Sequence, residues 1–185
     1  MKGKIAVVLS VMFLFAAATV SAEQAPQKVV DMGKTKLAGF GTDPVIVTAV
    51  KGANGKGQTL DQIKAMDTKW RDTPGIADYM QALMDNDCAK HLRQFQNENG
   101  FIAEIFVMDN QGANVAMTDK TSDYWQGDEG KFKNSFAGGK GQVFEDEVEF
   151  DDSTQAYLVQ VSVPVLDGGQ AIGAITFGVD VDQVE

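Results

Sequence analysis

The 185-residue chain carries 26 acidic against 16 basic residues, a formal net charge of −10. That balance argues against nucleic acid or anionic lipid as a partner, because phosphate attracts positive surfaces; its plainest use is to keep the protein soluble. Cys88 is the single cysteine, so no intramolecular disulfide can form and a packed core must hold the chain together.

Met1-Lys2-Gly3-Lys4 is a short basic leader, Ile5 to Val20 is apolar apart from Ser10 and Thr19, and Val20-Ser21-Ala22 places small residues at a cleavage site. This is the pattern of a secretory signal peptide over residues 1–22, cleaved near Ala22, with a retained N-terminal anchor as the alternative. Loss of Lys2 and Lys4 leaves 14 basic and 26 acidic residues, a net charge of −12, on residues 23–185. That length suits one domain, expected in the periplasm.

Val29 to Phe40 reads as a helix, interrupted by Gly39 and Gly41. Asp43-Pro44 reads as an N-cap followed by proline at the first helical position, leading a helix over Val45 to Val50. Gly52 to Gly57 (GANGKG) reads as a loop. Thr59 with Gln62 forms a capping box before Leu60, Ile63, Met66 and Trp70 at helical spacing. Thr73-Pro74-Gly75 ends that helix, and one longer helix is expected from Ile76 to Asn97, with Asn99-Gly100 as its C-cap. Cys88 lies on its apolar face as a buried thiol.

After Gly100 the period changes to two. Phe101 to Met108 is a strand, Asp109-Asn110-Gln111-Gly112 a turn, and Ala113 to Met117 the returning strand. Asn114 to Glu129 (NVAMTDKTSDYWQGDE) then gathers Asp123, Tyr124, Trp125, Asp128 and Glu129, and a glycine-rich loop follows Phe136. Val143 to Phe150 alternates, with Glu145, Glu147 and Glu149 on one face and a possible position at a pocket rim for the first two. Tyr157 to Val165 puts Tyr157 and four valines on one side and Leu158, Gln160 and Ser162 on the other. Asp167-Gly168-Gly169 makes a tight hairpin into the last strand, Ala171 to Val181.

Helices first and an antiparallel meander after them give an α+β domain. The helices cover the valine-rich face. Gln160, Ser162 and Thr176 make the other face too polar for a second core, and the long irregular segment from Thr118 to Gly141 covers that side. Loops of such length inside compact domains are usually functional, so a ligand pocket is expected beneath Asn114 to Glu129.

EIFVMDNQG after the helical region, DKTSDYWQGDE after the second strand and the terminal YLVQVSVPVLDGGQAIGAITFGVDVD together resemble the single Cache (PDC, extracytoplasmic PAS-like) sensor domains. The resemblance spans about Val29 to Asp182. It implies a central antiparallel sheet of five or six strands backed by a long N-terminal helical region, with a ligand pocket on the opposite face. It also implies ligand sensing in place of catalysis. In amino-acid-binding members an arginine two residues before a tryptophan clamps the ligand carboxylate. Here the tryptophan is Trp125 and the earlier position is Asp123, which points to a small polar or cationic metabolite unless Asp123 is structural. Family members usually continue into a transmembrane helix and a signalling domain, whereas this chain stops at Glu185, so a separate membrane-bound receptor or kinase is the expected partner.

The candidate ligand set is Asp123, Tyr124 and Trp125 from the loop with Phe106, Met108, Tyr157, Gln160, Ser162 and Thr176 from the strands. Each has a structural alternative: Trp125 can plug the loop onto the sheet and Asp123 can brace the loop. Catalysis has little to work with, because His91 is the lone histidine and no GxSxG elbow occurs. Cys88 and His91 are too few for a zinc site. Asp119-x-Thr121-x-Asp123 begins like a calcium loop but lacks the glycine and the distal glutamate of an EF-hand, leaving at most a looser calcium site. No cofactor motif follows a strand. The competing hypothesis is a ligand-free module that binds a partner or forms a homodimer through its N-terminal helices.

Overall fold

The computed structural model describes residues 23–151 and 154–184. The expected signal peptide and two residues of the turn after Asp151 lie outside the described residues.

The helical half begins with α1 (Gln27–Met32), which continues through a π turn (Gly33–Leu37) and a 3-10 turn (Ala38–Thr42). Glycines set how closely this run approaches the sheet. A Cβ on Gly33 would stand 2.9 Å from Val161 Cγ1, and one on Gly41 would collide with the carbonyl oxygen of Pro164. Helix α2 (Pro44–Asn54) is capped by Asp43, whose carboxylate accepts from the amides of Val45 (2.8 Å) and Ile46 (3.2 Å). It runs into the expected GANGKG loop, because Asn54 donates to the carbonyl of Ile172 (2.8 Å) and accepts from the amide of Asn110 (3.0 Å). Helix α3 (Leu60–Asp72) opens with the reciprocal Thr59–Gln62 capping box.

The single helix expected over 76–97 is two, α4 (Asp78–Asp85) and α5 (Asp87–Glu98). The break is at Asn86, which is extended. Its side chain accepts from the amide of Ala89 (2.9 Å), capping α5, and donates to the carbonyl of Val115 (3.0 Å) in the sheet. The short polar side chain offers the backbone an exit from the helix that the apolar periodicity around it conceals.

The sheet holds β1 (Ile102–Met108), β2 (Asn114–Met117), β3 (Phe144–Asp151), β4 (Ala156–Asp167) and β5 (Gln170–Asp180), in the order β2-β1-β5-β4-β3 with every pairing antiparallel. The architecture is α+β, as expected. Helix α6 (Gly130–Phe136) lies within the segment read as irregular.

Val29, Leu37, Ile46, Val50 and Leu92 pack on Ile105, Val107, Val159, Val161, Val163 and Phe177 on one face of the sheet. The other face is a second core, which corrects the expectation that it is too polar for one. Phe106, Met108, Met117 and Ala174 meet Ile63 and Trp70 of α3, Met80 and Met84 of α4, and Phe132 of α6. The polar residues on that face cost little because they satisfy each other: Ser162 and Thr176 are register partners, fully buried, with hydroxyls 2.8 Å apart.

A bulge in β3 changes its facing. Glu145 pairs with Val161 and Val148 with Val159, so the interval is three residues on β3 and two on β4. Glu145 therefore shares the valine face with Val148, while Glu149, opposite Leu158, lies on the other. The placement of Glu145 and Glu149 on one face is overturned. The amide of Val148 bonds the carbonyl of Glu23 (2.8 Å), which covers part of the β3 edge.

Candidate functional site

Beyond β2 the chain crosses the second face of the sheet as an extended lid, residues 118–129. Helix α3 holds it there. One carboxylate oxygen of Asp67, a residue only 6% exposed, accepts from the amides of Tyr124 (2.9 Å) and Trp125 (3.0 Å), and the indole of Trp70 donates to the carbonyl of Thr121 (2.8 Å). The turn between β1 and β2 holds it from the other side. Trp125 Nε1 donates to the carbonyl of Gln111 (2.7 Å), and the Gln126 amide to that of Gly112 (2.8 Å). Gly112 has φ +84°, and a Cβ on it would meet the backbone of Gly127, so the crossing is close enough to require glycine. The carbonyl of Asp123 accepts from the side chains of Thr121 (2.7 Å) and Gln126 (2.9 Å) of the lid and of Asn114 (3.1 Å) of β2.

Between lid, α3, α6 and sheet lies a cavity of about 380 Å³. Charges of both signs converge on it. Arg71, Lys120 and Lys131 supply the cations, Glu104 and Asp151 the carboxylates, and Phe106, Gln126 and Gln160 complete the walls. Burial pushes the Glu104 carboxyl above its ordinary value; Asp151 adds to the rise, while Lys131 and the Gln160 amide, 3.4 Å away, oppose it. Lys131 is buried, paired with Glu129 (2.6 Å), and lies 5.4 Å from the centroid of the Phe106 ring. Arg71 reaches Asp67 (3.0 Å) and Asp123 (3.6 Å), and Lys120 donates to the carbonyls of Gly75 (2.8 Å) and Thr73 (3.3 Å). Such a cavity can set a cationic group against Glu104 and Asp151 and an acceptor or anionic group against Arg71 and Lys120.

The nine candidate residues are dispersed. Phe106 and Gln160 line this cavity. Asp123 and Trp125 line an adjoining groove with Lys64 and Arg71, where the Lys64 ammonium stands 4.7 Å from the Trp125 ring centroid. Tyr124 turns toward a separate cleft. Met108, Ser162 and Thr176 are fully buried. Tyr157 is 52% exposed at the β3–β4 edge, edge-on to Phe150, and lines none of these spaces. Along β4 residues two apart share a face, so Tyr157 lies on the face opposite to that of Leu158 and Gln160.

Four residues central to the geometry escaped the sequence reading. Glu104 had a local signal, as the lone charge within FIAEIFVM. Asp67 had one too: it stands four residues after Ile63 and three before Trp70, an acid on the apolar stripe of α3. Arg71 and Lys131 had none, since their meeting depends on long-range packing. Elsewhere, burial and nearby Asp43 push the Cys88 thiol up to about 12, and His91 Nε2 lies 2.9 Å from Asp43. Among the described residues no cluster of three or more His, Cys, Asp or Glu is placed to hold a metal ion.

No family model matches the chain, and no curated protein matches it. Solved structures do align with it. The chain is similar to solved sensor domains. The sensor domain of the V. cholerae histidine kinase DctB aligns with 85% of this chain and 52% of its own length, at 12% identity and a TM-score of 0.45. The sensory domain of the Campylobacter jejuni chemoreceptor Tlp3 with isoleucine bound aligns over 86% of this chain and 65% of its own, at 14% identity and 0.42. The ligand-binding domain of the Pseudomonas aeruginosa amino acid chemoreceptor PctC in complex with GABA aligns over 85% and 62%, at 11% identity and 0.40. The chain thus spans between half and two thirds of the length of these structures.

Proposed function

We propose that the chain is an exported ligand-capture module of the Cache type, which binds a small polar metabolite bearing a cationic group under the lid and relays occupancy to a separate membrane-bound receptor or kinase. The observation that carries the reading is Glu104. It is a carboxylate on a central strand, desolvated against Phe106 and facing a cavity whose volume, about 380 Å³, is within the range of small-molecule sites. A carboxyl held above its ordinary value is a group that gains from a cationic partner, because binding the cation restores the charged form. Arg71 and Lys120 on the far wall accept an anionic or carbonyl end, so a ligand with both kinds of group fits best. The clamp that the Cache motif places two residues before Trp125 is replaced here by Asp123, and the arginine arrives instead from α3, bridged to that same aspartate.

The test is a calorimetric and thermal-shift screen of amines, amino acids and organic acids. Ligands with a cationic group are expected to bind, to weaken at least tenfold (about 1.4 kcal/mol) in Glu104→Gln, and to release protons on binding near the raised Glu104 value. Hits that are all anionic, or that bind Glu104→Gln unchanged, would overturn the reading.

The alternative of a ligand-free module working through its N-terminal helices is constrained by burial. Val29, Leu37, Ile46 and Val50 are fully buried against the sheet, so those helices are part of the core. A partner would have to use their outer faces.

A further inference from the structure

A second, separate cleft of about 830 Å³ runs beyond the β2 edge of the sheet, between α2 and the α4–α5 junction. It shares no lining residue with the cavity at Glu104.

The walls and the floor of this cleft differ in chemistry. Val45, Ala49 and Ala53 of α2 face Leu83 and Cys88 of α4 and α5, with Val115 of β2 between them. At the floor are Asp109, Asn114 and Tyr124, all buried. Asn114 spends its amide nitrogen on Thr121 (2.9 Å) and on the carbonyl of Asp123 (3.1 Å), and its oxygen, Oδ1, is buried with no hydrogen-bond partner. Asp109 Oδ1 accepts from the amides of Gln111 (2.8 Å) and Ala113 (3.0 Å). Burial, with the nearby Asp109 carboxylate adding to it, pushes the Tyr124 phenol upward. Asp87 adds a second carboxylate at the mouth, and Lys56 is the one cation among the lining residues.

A buried acceptor without a donor is a cost of folding that a ligand's donor removes. An apolar channel leading to the unpartnered Asn114 oxygen, with the Asp109 carboxylate beside it on the floor, favours a molecule that is greasy along its length and offers N–H or O–H at one end. It disfavours a carboxylate head, which would bring an acceptor to acceptors and a negative charge to Asp109. We infer that the cleft is a second binding site, for a small molecule with an apolar body and an amine or hydroxyl head group.

The probes are 2-phenylethylamine, 2-phenylethanol and phenylacetate, titrated into the full mature chain and followed through backbone amide resonances. One or both of the donor probes is expected to shift the amides of Val115, Tyr124 and residues 49–53, and phenylacetate to leave them in place. Ala53→Trp, which puts an indole into the cleft from a half-buried position, should weaken the response about tenfold or more, and Glu104→Gln should not change it. Ala82→Trp, on the exposed rim, replaces it if Ala53→Trp fails to fold. Absence of shifts with both donor probes, an equal response to phenylacetate, or indifference to the filling variant would each overturn the proposal. Failure of Glu104→Gln to affect any ligand would bear on the lid cavity alone.

Discussion

Asp67→Ala removes the carboxylate that fastens the lid to α3. Two backbone amides lose a charged acceptor, that of Tyr124 in a buried setting and that of Trp125 in a part-buried one. A hydrogen bond to a charged group contributes about 1.5–3 kcal/mol net, and an abandoned buried donor costs about 1–3 kcal/mol. Water can reach Trp125 once the lid loosens, so most of its share is recovered and the total settles at about 3 kcal/mol. The pair with Arg71 adds less than about 1 kcal/mol, since that guanidinium is largely exposed. For a domain of this size about 3 kcal/mol lowers Tm by roughly 6–12 °C. Asp67→Asn keeps one oxygen acceptor and should lose about half as much. The direct assay is amide hydrogen exchange: Tyr124 and Trp125 should lose protection in Asp67→Ala while the β4–β5 amides exchange through global unfolding as before. Protection at Tyr124 and Trp125 that follows the global fall in stability and nothing more would refute the view that this carboxylate is the local fastener.

Glu104 makes stability fall with rising pH. Its folded-state carboxyl lies above the ordinary 4.5, so its contribution is present below that value and lost as pH climbs through the raised one. Urea unfolding of wild type and Glu104→Gln from pH 4 to 8 should therefore show wild type losing ground to the variant as pH rises; the opposite slope would count against a desolvated Glu104. Thr176→Val leaves the Ser162 hydroxyl buried without its partner and should cost about 1–3 kcal/mol, part of which returns in the double variant with Ser162→Ala. Strict additivity in that cycle would show that the two hydroxyls do not depend on each other. Cys88, pushed up to about 12, should react with iodoacetamide at pH 9 far more slowly in the native protein than in urea, and equal rates would contradict its burial.

The parts of the fold that were legible in the residues are those written locally. The Asp43-Pro44 start of α2, the Thr59–Gln62 box of α3 and the Asp167-Gly168-Gly169 hairpin are short-range chemistry, and each sits where its residues place it. The break at Asn86 was hidden because the apolar periodicity runs on across it, while half of what fixes the Asn86 side chain, its bond to the carbonyl of Val115, lies far along the chain. The bulge in β3 was hidden because alternation in an acidic strand looks regular whether or not one residue is extra. Ser162 and Thr176 misled for a similar reason: each reads as polar alone, and only the β4–β5 register shows that they neutralise each other's cost. The lid was recognised as a covering segment by its length and composition. The charges beneath it come from β1, α3, α6 and β3, and no local pattern announces such a convergence.

The attachment of the lid to α3 has a practical meaning for anyone redesigning this protein. Asp67 and Trp70 reach for backbone atoms of the lid and not for its side chains, so these three anchors ask only that its amides and carbonyls fall in the same places. Within the lid the exposed Ser122 can vary in chemistry, whereas Thr121, Tyr124 and Trp125 keep the hydrogen bonds and packing that seat it on the sheet and on the turn between β1 and β2. A graft that brings in a foreign loop without the matching α3 would lose its attachment on the helix side. Transplanted together, the two segments form a cassette whose recognition surface can be rewritten without renegotiating its frame.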